Sequence, residues 1–206
     1  MFMKLSKERR SFIFPVTIIL LLSTIFFLSC TQTQDYFTFY DEQYDFRVQV
    51  PGKYRELEKR TEVIDTSAGK FNMDFFIATG EEKVFMIGAL RHGFPGTDEE
   101  MTRFGMEFAS RSLAESAEIL WKREITLNGY PALSLRYRKE QNGQSVYAHT
   151  VILEIPGTQY QLQVISYNEK ELDEQDAVRF QMSFKHIESR DSNELQDQDQ
   201  DDDSEP

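Results

Sequence analysis

WKREITLNGYPALSLRYRKEQNGQSVYAHTVILEIPGTQYQLQV, residues 121 to 164, alternates apolar and polar side chains and is broken by three turn signals. The run from Ile119 to Leu127 ends at Asn128-Gly129. Leu133, Leu135 and Tyr137 then alternate with Ser134, Arg136 and Arg138 up to a second Asn-Gly pair, Asn142-Gly143. Val146 to Ile155 follows and stops at Pro156-Gly157, after which Tyr160, Leu162 and Val164 face one way against Gln159, Gln161 and Gln163. A period of two is the mark of a strand. Asn-Gly suits the two-residue hairpin turn, whose central positions both need positive φ. Tight turns of this kind join antiparallel neighbours, so the stretch predicts an antiparallel sheet.

The same period extends upstream. Tyr44, Phe46, Val48 and Val50 alternate with Asp45, Arg47 and Gln49 and stop at Pro51-Gly52; Phe71, Met73, Phe75 and Ile77 repeat the pattern. Lys83 to Leu90 is a shorter, more continuously apolar run that predicts a more buried strand. Tyr36 to Tyr40 is aromatic and β-prone, and fits either a first strand paired with the next segment or a membrane interface. Two helices interrupt the strands. Thr97-Asp98-Glu99-Glu100 reads as a capping box, with Met101, Phe104, Phe108 and Ala109 after it at helical spacing on an inner face continuing towards Ala117. A second helix is predicted from about Glu171 to Met182, with Leu172, Val178 (or Ala177) and Met182 facing inward and Phe184 packing after its end. The fold class expected is α+β: a largely antiparallel sheet of about seven strands, flanked by two main helices.

Cys30 is the only cysteine among the 206 residues. A basic segment (Lys4, Lys7, Arg9, Arg10) and an apolar run from Phe12 to Leu28 precede Ser29-Cys30, the order of a secretory signal. The Ser-Cys junction resembles the lipobox of bacterial lipoproteins, although Phe27 and Leu28 stand where that motif usually has Leu and a small residue. The resemblance implies removal of residues 1–29, acylation of Cys30 and attachment to a membrane outside the cytoplasm. Thr31, where an Asp would signal inner-membrane retention, favours the outer membrane. An uncleaved anchor and an ordinary secreted protein are the alternatives.

Charge is spread unevenly along the chain. The formal net charge is −12. Residues 1–29 contribute +3 and residues 188–206 contribute −8, which leaves −7 for the middle. A body this acidic excludes nucleic acid as a partner, because that binding rests on neutralising phosphates. It also predicts repulsion from anionic lipid headgroups, so that attachment falls to the lipid. The acidic tail, with Leu195 its one large aliphatic residue, cannot offset the entropy of ordering. Its alternating aspartates fail as a calcium loop, since Asp202 stands where Gly is required. The division expected is a signal peptide (1–29), a tether (30–43) whose aromatic part supplies a first strand, one domain (44–187) and a disordered tail (188–206).

The order of elements from Tyr44 onward resembles the PsbP-like superfamily, in particular its DcrB-like bacterial lipoprotein branch. The matching segments are YDFRVQVPGKY (44–54), the capped helix (97–117), WKREITLNGYPALSLRYR (121–138) and the closing Met182-Ser183-Phe184. Together they span about 145 residues. The resemblance implies a PsbP-like sandwich, often in an exported or lipid-anchored protein, that binds or stabilises larger protein assemblies. It implies no shared active site.

The residues hold no catalytic or metal signature. His92, His149 and His186 are far apart and in no ligand spacing, so they read as surface or sheet-face histidines. A nucleophile elbow and a glycine-rich phosphate loop are both missing from the sequence. Trp121 reads as a sheet-edge residue. Arg91, His92 and Phe94, in a loop flanked by Gly93 and Gly96, form the one candidate ligand or partner loop. The expectation is a non-enzymatic, lipid-anchored envelope protein that needs no cofactor or metal and binds another envelope protein. The rival is a small-ligand-binding or hydrolytic lipoprotein with a cleft between sheet and helix.

Overall fold

The computed structural model describes residues 35–54, 56–66, 69–92, 99–115 and 117–187. Among these residues ten strands and two helices follow in chain order: β1 (Tyr36–Asp41), β2 (Phe46–Pro51), β3 (Glu58–Thr66), β4 (Gly69–Thr79), β5 (Lys83–Arg91), α1 (Glu99–Leu113), β6 (Glu118–Leu127), β7 (Tyr130–Gln141), β8 (Gln144–Ile155), β9 (Thr158–Ser166), α2 (Gln175–Met182) and β10 (Lys185–His186). A 3-10 turn, Glu169–Asp173, leads into α2. Seven strands form one sheet in the order β3-β4-β5-β9-β8-β7-β6, with every neighbouring pair antiparallel. The two Asn-Gly turns place Asn128 (φ 50°), Gly129 (φ 89°), Asn142 (φ 52°) and Gly143 (φ 77°) in the left-handed region that such hairpins require. The fold class expected from the sequence is the one observed.

A second sheet, β1-β2-β10, packs on one face of the first. Tyr36 to Tyr40 therefore form a strand, with Phe37 and Phe39 turned to the core. Between the sheets lie Phe46, Val48 and Val50 from β2, Phe76 from β4, Phe85 and Ile87 from β5, and Tyr160, Leu162 and Val164 from β9. Phe180 of α2 and Phe184 beyond it close this core. Phe184 stacks on Phe46 at 5.8 Å and tilts against Tyr160 at 5.0 Å. Aromatic pairs at such distances add to the burial of their area.

The other face of the large sheet carries α1. Met106 and Ala109 pack on Leu133, Leu135, Tyr137, Ala148 and Ile152. This corrects the expected inner face of α1, because Met101, Phe104 and Phe108 point outward. Gly105, Ala109 and Ser110 are small and let the helix lie close to the sheet; the larger side chains would hold it off. The closing helix is corrected in the same way. It begins at Gln175 after the 3-10 turn; Leu172, Ala177 and Phe180 are buried, whereas Val178 and Met182 are 46% and 55% exposed. Phe184 is buried as expected. On β4 the buried side is Asp74, Phe76 and Ala78, while Phe71, Phe75 and Ile77 on the opposite side are partly exposed and only Met73 is buried there.

Candidate functional site

Arg91 and His92 leave β5 in different directions, while Phe94, like Cys30, lies outside the described residues. Arg91 donates to the Gln43 carbonyl, pairs with Asp45 at 3.7 Å and lies over the Tyr44 ring at 5.6 Å. The His92 Nε2 reaches instead to Glu154 on β8, where both side chains are largely buried. Glu154 accepts a hydrogen bond from Gln159 Nε2 at 3.1 Å. Gln161 Nε2 donates to Gln159 Oε1 at 3.2 Å, and Gln163 Nε2 to Gln161 Oε1 at 3.4 Å. A polar ladder thus runs along β9 to His92. Gln159 also donates to the Gly105 carbonyl at 3.3 Å, which ties the ladder to α1. A Cβ at Gly105 would stand 3.1 Å from Glu154 Oε2, so glycine permits this approach.

Above the ladder, α1 presents Met101, Phe104 and Phe108 to solvent at 52%, 65% and 43% exposure. Phe104 and Phe108 stack, with centroids 6.5 Å apart and planes at 26°. Steps of three and four residues put the pair on one side of a helix. Lys122 and Glu107 (2.8 Å) and Arg103 and Glu124 (3.3 Å) fasten the α1 flank beside β6. Near them an open groove of about 290 Å³ lies between α1 and the β6–β7 hairpin, bordered by Glu99, Arg103, Met106, Glu124 and Pro131.

A second polar cluster sits on the opposite sheet face. Arg136 forms a two-pronged pair with Asp173, at 2.5 and 3.0 Å. That pairing, against the opposing pull of burial, raises the guanidinium pKa and keeps the Asp173 carboxyl below its ordinary range. Trp121, half-buried on the edge strand β6, has Arg136 at 5.5 Å and Arg123 at 4.9 Å from its ring, and His149 edge-on at 5.1 Å. His149 Nε2 and Ser134 Oγ, 2.9 Å apart, share a hydrogen bond. A Ser–His pair is the core of a nucleophile, but Ser134 is 1% exposed, so no substrate reaches it. Burial, with Arg136 beside it, pushes the imidazole down to about 4. Lys83, buried at the start of β5, is enclosed by Glu171 (3.3 Å), Glu174 (2.5 Å) and Asp176 (2.7 Å). Burial works against its charge, but the hydrogen bonds it donates to the three carboxylates outweigh that and raise its pKa. Here an ammonium takes the place a cation would fill. Among the described residues no group of His, Cys, Asp or Glu converges as a metal site. His186, read from sequence as a surface residue, is partly buried on β10, with Nδ1 3.3 Å from the Tyr160 hydroxyl and its ring edge-on to Tyr130.

No protein-family model matches the chain, and no curated protein matches it in sequence. Solved structures with a similar course of chain include the following three. The solution structure of cyanobacterial PsbP (CyanoP) from Synechocystis sp. PCC 6803 is 11% identical, covers 77% of this chain and 98% of its own, and has a TM-score of 0.46. The crystal structure of LpqN, involved in cell envelope biogenesis of Mycobacterium tuberculosis, is 14% identical, covers 73% and 89%, and has a TM-score of 0.43. A Pseudomonas aeruginosa protein of unknown function, PA94, is 9% identical, covers 83% and 98%, and has a TM-score of 0.36.

Of the three loop residues picked out by sequence, the structure joins His92 to a buried network and Arg91 to the β1–β2 turn. It does not bring the two together. The ladder escaped sequence reading because Gln159, Gln161 and Gln163 look like a solvent face. Their strand, however, is fourth of seven in its sheet, and a central strand under a helix is covered on both sides. Glu154 lies 62 residues from His92, and no spacing rule links them.

Proposed function

We propose that this is a lipid-anchored cell-envelope protein, attached through Cys30, that binds another envelope protein through the outer face of α1. The reading is non-enzymatic, and its fold is read as the DcrB-like form of the PsbP-like sandwich, with the outer membrane favoured by Thr31. The observation that carries it is the stripe Met101, Phe104 and Phe108, where two stacked rings and a thioether meet solvent on an otherwise acidic body. Aromatic residues and Met are enriched where proteins meet, and large exposed apolar groups placed side by side mark such sites. A photo-crosslinking side chain introduced at Phe104 in the full chain tests this in cells. The expected result is a discrete cross-linked protein that is missing when the probe replaces Val63, an equally exposed residue on the edge strand β3. Equal, diffuse labelling at both positions contradicts it.

A further inference from the structure

The outward face of the small sheet differs in charge from the rest of the chain. Tyr40 pairs across from Arg47, and Arg47 from Lys185, so the three form one lateral row over β1, β2 and β10. Thr38 pairs with Gln49 in the next row, and Tyr36 with Pro51 beyond it. Alternation turns Phe46, Val48 and Val50 to the core and leaves Tyr40, Arg47 and Lys185 exposed on the other side. Arg179 of α2 extends the face, lying 3.9 Å from the Tyr36 ring and donating to Gln49 Oε1 at 2.7 Å. Met182, one helical turn on, is exposed beside it. Among the described residues no carboxylate pairs with Arg47, Arg179 or Lys185. Of the three acids of the β1–β2 turn, Asp41 accepts from the Tyr44 N–H at 2.9 Å and Asp45 pairs with Arg91, while Glu42 is exposed.

We infer that this face, with Arg47, Arg179 and Lys185 between Tyr36 and Tyr40, rests on anionic phospholipid headgroups of the membrane to which the chain is tethered. The inference rests on the tether proposed above and adds an orientation to it. Two observations select lipid as the occupant. Three cations without carboxylate partners, framed by tyrosines, match an anionic interface in charge and in kind. In addition, β1 begins only six residues after Cys30, a reach of about 20 Å at full extension, so the small sheet cannot leave the membrane's neighbourhood. The net negative charge of the body predicts repulsion only if spread evenly, and on this face it is not. α1 lies on the opposite side of the large sheet, so the two surfaces do not compete.

The test uses the full chain reconstituted into phosphatidylcholine vesicles with and without phosphatidylglycerol, with lysine acetylation read by mass spectrometry. Lys185 should be acetylated several-fold more slowly on the anionic vesicles than on the neutral ones, while the exposed Lys139 on β7 should not change. Arg47→Gln with Arg179→Gln should abolish that shielding, each lost cation weakening surface contact about fivefold. Flotation of the vesicles reads the tether separately. A chain that floats but labels Lys185 equally on both vesicles overturns the headgroup contact alone. A chain that floats with neither overturns the tether and this inference together.

Discussion

At the scale of single residues, burial separates side chains that sequence spacing treats alike. Phe184 and Met182 are two positions apart, yet the first is 1% and the second 55% exposed. Phe184→Ala should leave a cavity among Phe46 and Tyr160 and cost about 3–5 kcal/mol. Met182→Ala should stay within about 0.5 kcal/mol of the parent. A denaturant titration that ranked them the other way would contradict the packing of the closing segment. His149 gives a pH signature. Its pKa is about 4 in the folded chain, and the unfolded value is about 6.5. The unfolded state therefore binds the proton first. The contribution of the neutral ring is complete above about pH 6.5 and declines as pH falls towards 4, by roughly 2–3 kcal/mol. Carboxylates held low by their partners, such as Asp173, keep their contribution until pH falls below their ordinary range. His149→Gln should flatten the slope of stability between pH 6.5 and about 4; unfolding midpoints that fall equally in both proteins would contradict this.

At the scale of elements, α1 shows how a helix chooses its face. Met101, Phe104 and Phe108 lie on one side of it and Met106 and Leu113 on the other, so apolar spacing admits more than one inner face. Close approach at Gly105 decides between them. Gly105→Ala should therefore forgo the gain of about 1 kcal/mol that alanine brings to an open helix. Its Cβ would press on Glu154 Oε2, which His92 and Gln159 hold in place. The variant is expected to melt below the parent, and a higher melting temperature would show that Glu154 yields. The hairpins were legible because Asn128-Gly129 and Asn142-Gly143 encode their turns locally. β3 was not legible. Its sequence EKRTEVIDT is that of a charged outer strand, with Val63 and Ile64 its only large aliphatics, and its pairing with β4 rather than any apolar period defines it. Nor did the sequence show that β1, β2 and β10 form a separate sheet, because Lys185–His186 is too short to carry a pattern. For the candidate site, Arg91 and His92 stood out by residue type, but the Glu154 and glutamine partners are set by tertiary register.

At the scale of the whole molecule, two layers flank the large sheet and offer different surfaces. The small sheet presents Tyr40, Arg47 and Lys185; α1 presents Phe104 and Phe108 on the opposite side. No helix among the described residues is long and apolar enough to cross a membrane. In the proposed reading attachment is made through Cys30, and with two or three acyl chains it would be effectively permanent. Everything proposed for the two surfaces depends on that attachment, and mass spectrometry of the mature N-terminal peptide from membranes tests it most directly. The expected peptide begins at Cys30 and carries a diacylglyceryl group on its sulfur; a peptide that retains Met1, or one in which the Cys30 thiol is free, would contradict the lipid anchor.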